Sequence, residues 1–227
     1  MDTRNLLEQL LESGRQLANQ GQDAVEQRLG VPEAGEQRDA MLSGAGKGAL
    51  AAGALALLLG TGAGRKVTGS ALKLGSLAAI GGVAYKAYQN WQSQSGNTDD
   101  AGTPVAELSG NSADSRSMTL LKAMISAAKA DGHIDDQEQA KISEQIGQMG
   151  FKADDLAAIK AELEKPVDLA ELVKAVDSPA TAAEVYLASM LVLDLQNQQE
   201  RTYLQQLARE LKLSDDLVAQ LEQQANA

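Results

Sequence analysis

Two short acidic stretches contain the residues of this chain that are best suited to chemistry. The first is AAKADGHIDDQE at residues 127–138, and the second is DLQNQQE at residues 194–200. Carboxylate oxygens, without thiolates or imidazoles, are the ligands that Ca²⁺ and Mg²⁺ prefer in proteins. The sequence therefore predicts a candidate hard-cation site formed by the carboxylates of both stretches, which are Asp131, Asp135, Asp136, Glu138, Asp194 and Glu200.

Helix capping is the alternative explanation for the same carboxylates. Asp135 followed three residues later by Glu138 fits an N-cap residue with its capping partner, and the remaining acids would then form a solvated face. An EF-hand loop does not fit, because counting from Asp131 places Ile142 at the twelfth position, where glutamate is required. His133 is the lone histidine of the chain and is interpreted as a solvated loop residue.

The elements that carry both stretches are predicted to be helices. Over residues 115–227, apolar residues recur at helical spacing in seven segments, which are separated by capping residues, glycine and proline. Two of these segments share a pattern, since DxxExxxI at residues 135–142 matches NxxExxxL at residues 197–204. If this is an internal repeat, the two acidic stretches meet at one end of a helical bundle; a chance match of two capped helices stays open.

The same segment resembles a known helical family. AAKADG, IDxxE and the later ERxYLxxLAxxL together are similar to the signature of TerB-like (tellurite-resistance) domains, and the wider arrangement resembles the bacterial inner-membrane family typified by YebE. The resemblance implies an all-α fold of about seven helices. It also implies a metal site at residues Asp131, Asp135, Glu138, Asp194 and Glu200, although Gln196 stands where a further acid would strengthen the site.

The middle of the chain has a different composition. Residues 44–91 are rich in glycine, alanine and leucine, and they carry five basic residues and no acidic residue. Apolar runs at 48–64 and 67–85 are interpreted as a membrane-associated helical hairpin, with Tyr85, Lys86, Tyr88 and Trp91 at the boundary between water and lipid. The basic residues would contact anionic lipid.

These observations divide the chain into four predicted parts. Residues 1–43 form an amphipathic helix and linker, 44–91 the glycine-rich hairpin, 92–114 a flexible linker, and 115–227 the TerB-like domain. We expect a location in the bacterial inner membrane. The positive-inside count of the hairpin is close to balanced, and a single span followed by Arg65, Lys66, Lys73 and Lys86 favours a cytoplasmic C-terminal domain.

Composition narrows the function classes. The net charge of -11 argues against binding to nucleic acid, and the absence of cysteine excludes thiolate metal sites. Since no nucleophile and base can be assembled, we expect a non-enzymatic, membrane-anchored protein. Its TerB-like domain would bind a protein partner and a divalent cation, Ca²⁺ or Mg²⁺, in an envelope or metal-stress response by analogy. The alternative is a soluble structural homo-oligomer assembled through glycine-rich helices.

Overall fold

Helices account for every regular element of the described chain, which confirms the all-α prediction. The computed structural model describes residues 2–12, 76–96, 100–130, 153–193 and 198–226. In chain order its elements are α1 (3–12), α2 (Leu77–Ser95), a 3₁₀ turn (Val105–Glu107), α3 (Gly110–Ala128), α4 (Ala153–Glu164), α5 (Leu169–Lys174), α6 (Pro179–Val192), α7 (Gln198–Glu210) and α8 (Asp215–Asn226). The helix predicted at residues 135–149 lies outside the described residues.

Helix α6 is the centre of the domain. Ser178 caps it, with Oγ accepting a hydrogen bond from Thr181 N at 3.2 Å, and Pro179 occupies the first turn. Nearly every residue from Ala180 to Val192 is buried, because the helix is apolar on all sides and packs against α2, α3, α7 and α8. Asp168 and Ser214 cap α5 and α8 in the same way, since each accepts a hydrogen bond from a backbone N–H three residues later.

Helix α2 contains the last nine residues of the second predicted membrane span, and it packs inside the helical domain. It contacts α6 and α8, and its buried residues include Leu77, Ile80, Ala84 and Tyr88. The Tyr88 ring lies 5.4 Å from that of Trp91, which is half-buried against the same core, so these aromatic residues do not form the predicted lipid boundary.

Among the residues that the structure describes, no helix combines the length and apolar character needed to cross a membrane. This finding corrects the prediction of a transmembrane helix and the prediction of an inner-membrane location. The first predicted span, 48–64, lies outside the described residues, as does the start of the second. The four-part domain division stays a prediction, but α1 and α2 share one core with α3 to α8.

The segment from residue 100 to residue 108 was expected to belong to a flexible linker, but it is fixed to the domain. Ala180 N donates to Ala101 O at 2.7 Å, and Val105 is fully buried between α2 and α6. Arg4 of α1 donates from Nη1 to Leu108 O at 2.6 Å. We call residues 100–108 the strap, because they tie α1, α2 and α6 together.

A buried ion pair holds the strap in place. Glu184 of α6 is fully buried; its Oε1 accepts from Val105 N at 2.6 Å and its Oε2 from Arg116 Nη1 at 2.8 Å. Arg116 of α3 also donates from Nη2 to Asp177 Oδ1 at 3.0 Å. Burial raises the pKa of Glu184, and the hydrogen bonds from Val105 and Arg116 oppose that rise.

Two adjacent glycines of α2 differ in how closely they approach the strap. A Cβ on Gly81 would lie 3.1 Å from Val105 Cγ1 and 3.3 Å from Ala106 N, whereas a Cβ on Gly82 would meet no atom within 4 Å. Gly82→Ala should therefore raise the free energy of unfolding by up to about 1 kcal/mol, through helix propensity alone. Gly81→Ala should be less stable than Gly82→Ala by about 1 kcal/mol or more, because the strap must move.

Denaturant unfolding of the full chain measures both variants. Equal stabilisation by the two substitutions would contradict the close packing of α2 on the strap.

Candidate functional site

The predicted cation ligands fall mostly outside the described residues. Asp131, Asp135, Glu138 and Asp194 are not described, so whether the two acidic stretches meet stays a prediction. Glu200 lies in the first turn of α7 and is only 2% exposed. Within the five described ranges, no group of three or more His, Cys, Asp or Glu residues is placed to hold a metal ion.

The C-terminal end of α3, where the first acidic stretch begins, is held against α4 by Lys129. Lys129 donates from Nζ to the carbonyl oxygens of Glu162 and Lys165, at 3.2 and 2.6 Å, and so satisfies the C-terminus of α4. Burial lowers the pKa of Lys129, while the nearby Glu162 carboxylate opposes the shift. These contacts fix the position of α3 against α4.

Helix α7 buries Tyr203 one turn after Glu200. The ring lies beside Ser126 of α3 and Ser189 of α6, although among the described residues no partner meets hydrogen-bond geometry at the Tyr203 hydroxyl. Burial raises the pKa of Tyr203 to about 12. The face of α7 that carries Tyr203 therefore packs in the core, and the opposite face of α7 is exposed.

A cavity lies on that outer side, between α7 and α8. Its volume is about 550 Å³. Leu204 and Ala208 of α7 are buried at its floor, where the half-buried Leu213 and Val218 add further apolar surface. The cavity is lined by Tyr186, Arg201, Leu204, Gln205, Ala208, Arg209, Leu213, Asp215, Val218 and Glu222, and we call it the α7–α8 cleft.

The two walls of the α7–α8 cleft carry opposite charges. Arg201 and Arg209 line it from α7, and Asp215 and Glu222 line it from α8. Arg201 donates from Nη2 to Gln198 Oε1 at 2.5 Å. Arg209 and Asp215 are exposed, and within the described part of the chain neither takes part in an ion pair. Both charges are therefore accessible to a partner molecule.

Tyr186 connects the cleft to the central helix. Its hydroxyl donates to Glu222 Oε1 at 2.7 Å, which joins α6 to α8. Burial raises the pKa of Tyr186, and the hydrogen bond and negative charge of Glu222 act in the same direction. The neutral phenol is thus the stable form, and it orients the Glu222 carboxylate along the wall.

Sequence reasoning missed this cleft. The signal was present in the spacing, since positions 201, 205 and 209 share one face of α7, and 215, 218 and 222 share one face of α8. Tyr186 comes from a different helix, and its contribution could not be found from spacing.

These features define a class of protein: an all-α domain built around one buried helix, with a charged cleft between its last two helices. Comparison with known proteins then shows the family to which the chain belongs. It belongs to the family described as "Protein of unknown function (DUF533)", whose profile matches residues 44–225. Members of this family are TerB-like, in agreement with the resemblance drawn from the motifs.

One curated relative matches the chain over about half of its length. The "Uncharacterized protein in ampR 5'region" of Yersinia enterocolitica is 30% identical over 110 residues, which cover 48% of this chain and 79% of the relative. No solved structure gives a significant match. The comparisons therefore establish the family and leave its activity open.

The two buried tyrosines predict how stability depends on pH. Their folded pKa values are raised, so their contribution is complete below the ordinary tyrosine pKa of about 10 and is lost as pH rises through the folded value. Tyr203→Phe should therefore flatten the fall in unfolding free energy between about pH 10 and 12, by up to about 1.4 kcal/mol per pH unit.

Denaturant unfolding across this pH range measures the slope. Tyr85→Phe, on the exposed face of α2, is the matched control. Identical slopes for wild type and Tyr203→Phe would show that Tyr203 ionises as easily in the folded chain as in the unfolded one.

Proposed function

We propose that this chain is a non-enzymatic binding protein whose α7–α8 cleft receives a segment of a protein partner. The observation that carries the proposal is the cleft itself, about 550 Å³ in volume, with an apolar floor between a basic and an acidic wall. Helix α7 and helix α8 are not closely packed along their lengths, so the cleft is open to a partner. An amphipathic helix has the matching surface, with an apolar stripe flanked by charges.

The chemistry of the lining residues favours binding over catalysis. The phenol of Tyr186 has a raised pKa and directs its proton to Glu222, which makes it a poor nucleophile and a poor base. The remaining polar side chains of the lining carry guanidinium, amide and carboxylate groups. Arginine, which supplies the guanidinium groups, is a frequent anchor residue at protein interfaces.

Photo-crosslinking in cells that naturally produce the protein tests this proposal. Gln205 lines the cleft, whereas the next residue, Gln206, is exposed on α7 outside it. A benzophenone amino acid at position 205 should give a protein crosslink, and the same group at position 206 should give much less, because only position 205 faces the bound segment. Mass spectrometry identifies the crosslinked chain.

The absence of a protein crosslink at position 205 would overturn the proposal. Equal crosslinking at both positions would also contradict it, since that result indicates non-specific encounters along α7.

Cation binding is a second candidate, and the position of Glu200 motivates it. This carboxylate, which the resemblance places among the metal ligands, lies in the first turn of α7. It is thus held at the end of α7 that follows the second acidic stretch. We propose that Asp131, Asp135, Glu138 and Asp194 complete a Ca²⁺ or Mg²⁺ site with Glu200.

Thermal melting of the full chain with millimolar Ca²⁺ tests the cation proposal. The full chain is needed because α1 and α2 belong to the same core. Ca²⁺ should raise the melting temperature of wild type, since a ligand of the folded state stabilises it, and Glu200→Gln should reduce this rise. Asp216→Asn, at an exposed carboxylate in the first turn of α8, should respond as wild type does.

NaCl at matched ionic strength controls for screening. If NaCl and Ca²⁺ shift the melting temperature equally, or Glu200→Gln keeps the full response, helix capping is the better explanation of the acidic stretches.

The alternative of a structural homo-oligomer assembled through glycine-rich helices has less support. Gly81 is described, and its close contacts are to Val105, Ala106 and Glu184 of the same chain. At this position the small residue serves packing within the domain.

A further inference from the structure

The charges on the α7–α8 cleft have matched spacings along the two helices. Arg201 and Arg209 are eight residues apart, which corresponds to about 12 Å along α7, and Asp215 and Glu222 are seven residues apart, or about 10.5 Å along α8. A basic pair and an acidic pair of nearly equal length therefore line the same cavity.

The short turn between α7 and α8 sets the order of these charges. Helix α7 ends at Glu210 and α8 begins at Asp215, so Arg209 and Asp215 both lie next to the turn. Lys212 adopts a left-handed conformation with φ of 57°, and Leu213 N donates to Ala208 O at 3.0 Å, which fixes this turn. Arg201 and Glu222 lie farther from it along their helices.

A two-fold axis that runs along the cleft would make this surface complementary to itself. Such an axis places α7 of one copy against α8 of the other, with both turns at the same end. Arg209 would then face the second copy's Asp215, and Arg201 would face its Glu222. A two-fold axis across the cleft would instead place arginine against arginine, so the charges select one arrangement.

We infer that the charged walls of the α7–α8 cleft pair with the same walls of a second copy of this chain. This inference rests on the proposed function, because it names the partner that covers the same cleft. Four ion pairs related by symmetry connect the two copies and fix their register. Since exposed ion pairs are screened by salt, the dimer should weaken as ionic strength rises.

Reciprocal charge reversal in the full chain tests the inference. Analytical ultracentrifugation from nanomolar to several hundred micromolar protein should show a monomer–dimer equilibrium for wild type. Arg209→Glu and Asp215→Arg should each raise the dissociation constant about tenfold or more, because each places like charges opposite one another. An equimolar mixture of the two variants, and the double variant in one chain, should both regain association.

Asp216→Arg is the matched control, because it makes the same change of charge in the same first turn of α8 but outside the cleft lining. It should associate as wild type does. A wild-type chain that stays monomeric throughout, or a mixture and double variant that fail to regain association, would overturn the inference.

Crosslinking at position 205 separates this inference from the proposed function. A crosslink to another copy of the chain supports both. A crosslink only to a different protein supports the binding function and overturns the dimer, and no protein crosslink overturns both.

Discussion

The ion pair between Arg116 and Glu184 is the constraint on which the described structure most depends. Glu184 is fully buried, and an uncompensated carboxylate in that position would cost several kcal/mol. Val105 N and Arg116 Nη1 each satisfy one of its oxygens. Arg116 is held in turn by Asp177: burial acts to raise the pKa of Asp177, but hydrogen bonds from Thr181 and Ser178 and the charge of Arg116 lower it overall. The carboxylate is therefore tolerated only when α3, α6 and the strap are assembled together.

This constraint explains why α2 belongs to the domain. Once the strap is tied to Glu184, Val105 presents an apolar surface directly above Gly81, where the lack of a side chain lets the backbone of α2 approach. The remaining apolar face of α2 packs against α6 and α8. A helix rich in glycine, alanine and leucine can be buried either in a lipid bilayer or in a protein core, and its composition does not distinguish the two. In the described part of this chain the protein core provides the burial.

Sequence reasoning succeeded where the signal was local. The all-α class and the separation of the helices by capping residues follow from residues a few positions apart, and Asp168, Ser178 and Ser214 each cap a helix. It failed where contacts between residues far apart in the sequence decided the outcome. The strap was predicted to be part of a linker because residues 92–114 have few apolar side chains, yet the buried Val105 and hydrogen bonds at Ala101, Val105 and Leu108 fix it. The cleft was missed for a related reason, since its walls come from α7 and α8 but its floor includes Tyr186 of α6.

The central helix joins the buried network to the open cleft. Glu184 and Tyr186 are two residues apart on α6 and so point to different sides of it: Glu184 binds α3 and the strap, and Tyr186 binds Glu222 on α8. Because α6 is buried along nearly its whole length, it cannot rotate or shift without disturbing both contacts. The position of the acidic wall of the cleft is thus set by the same helix that the ion pair fixes. A surface built this way keeps its charges in a constant arrangement, which is what recognition by matched charge spacing requires.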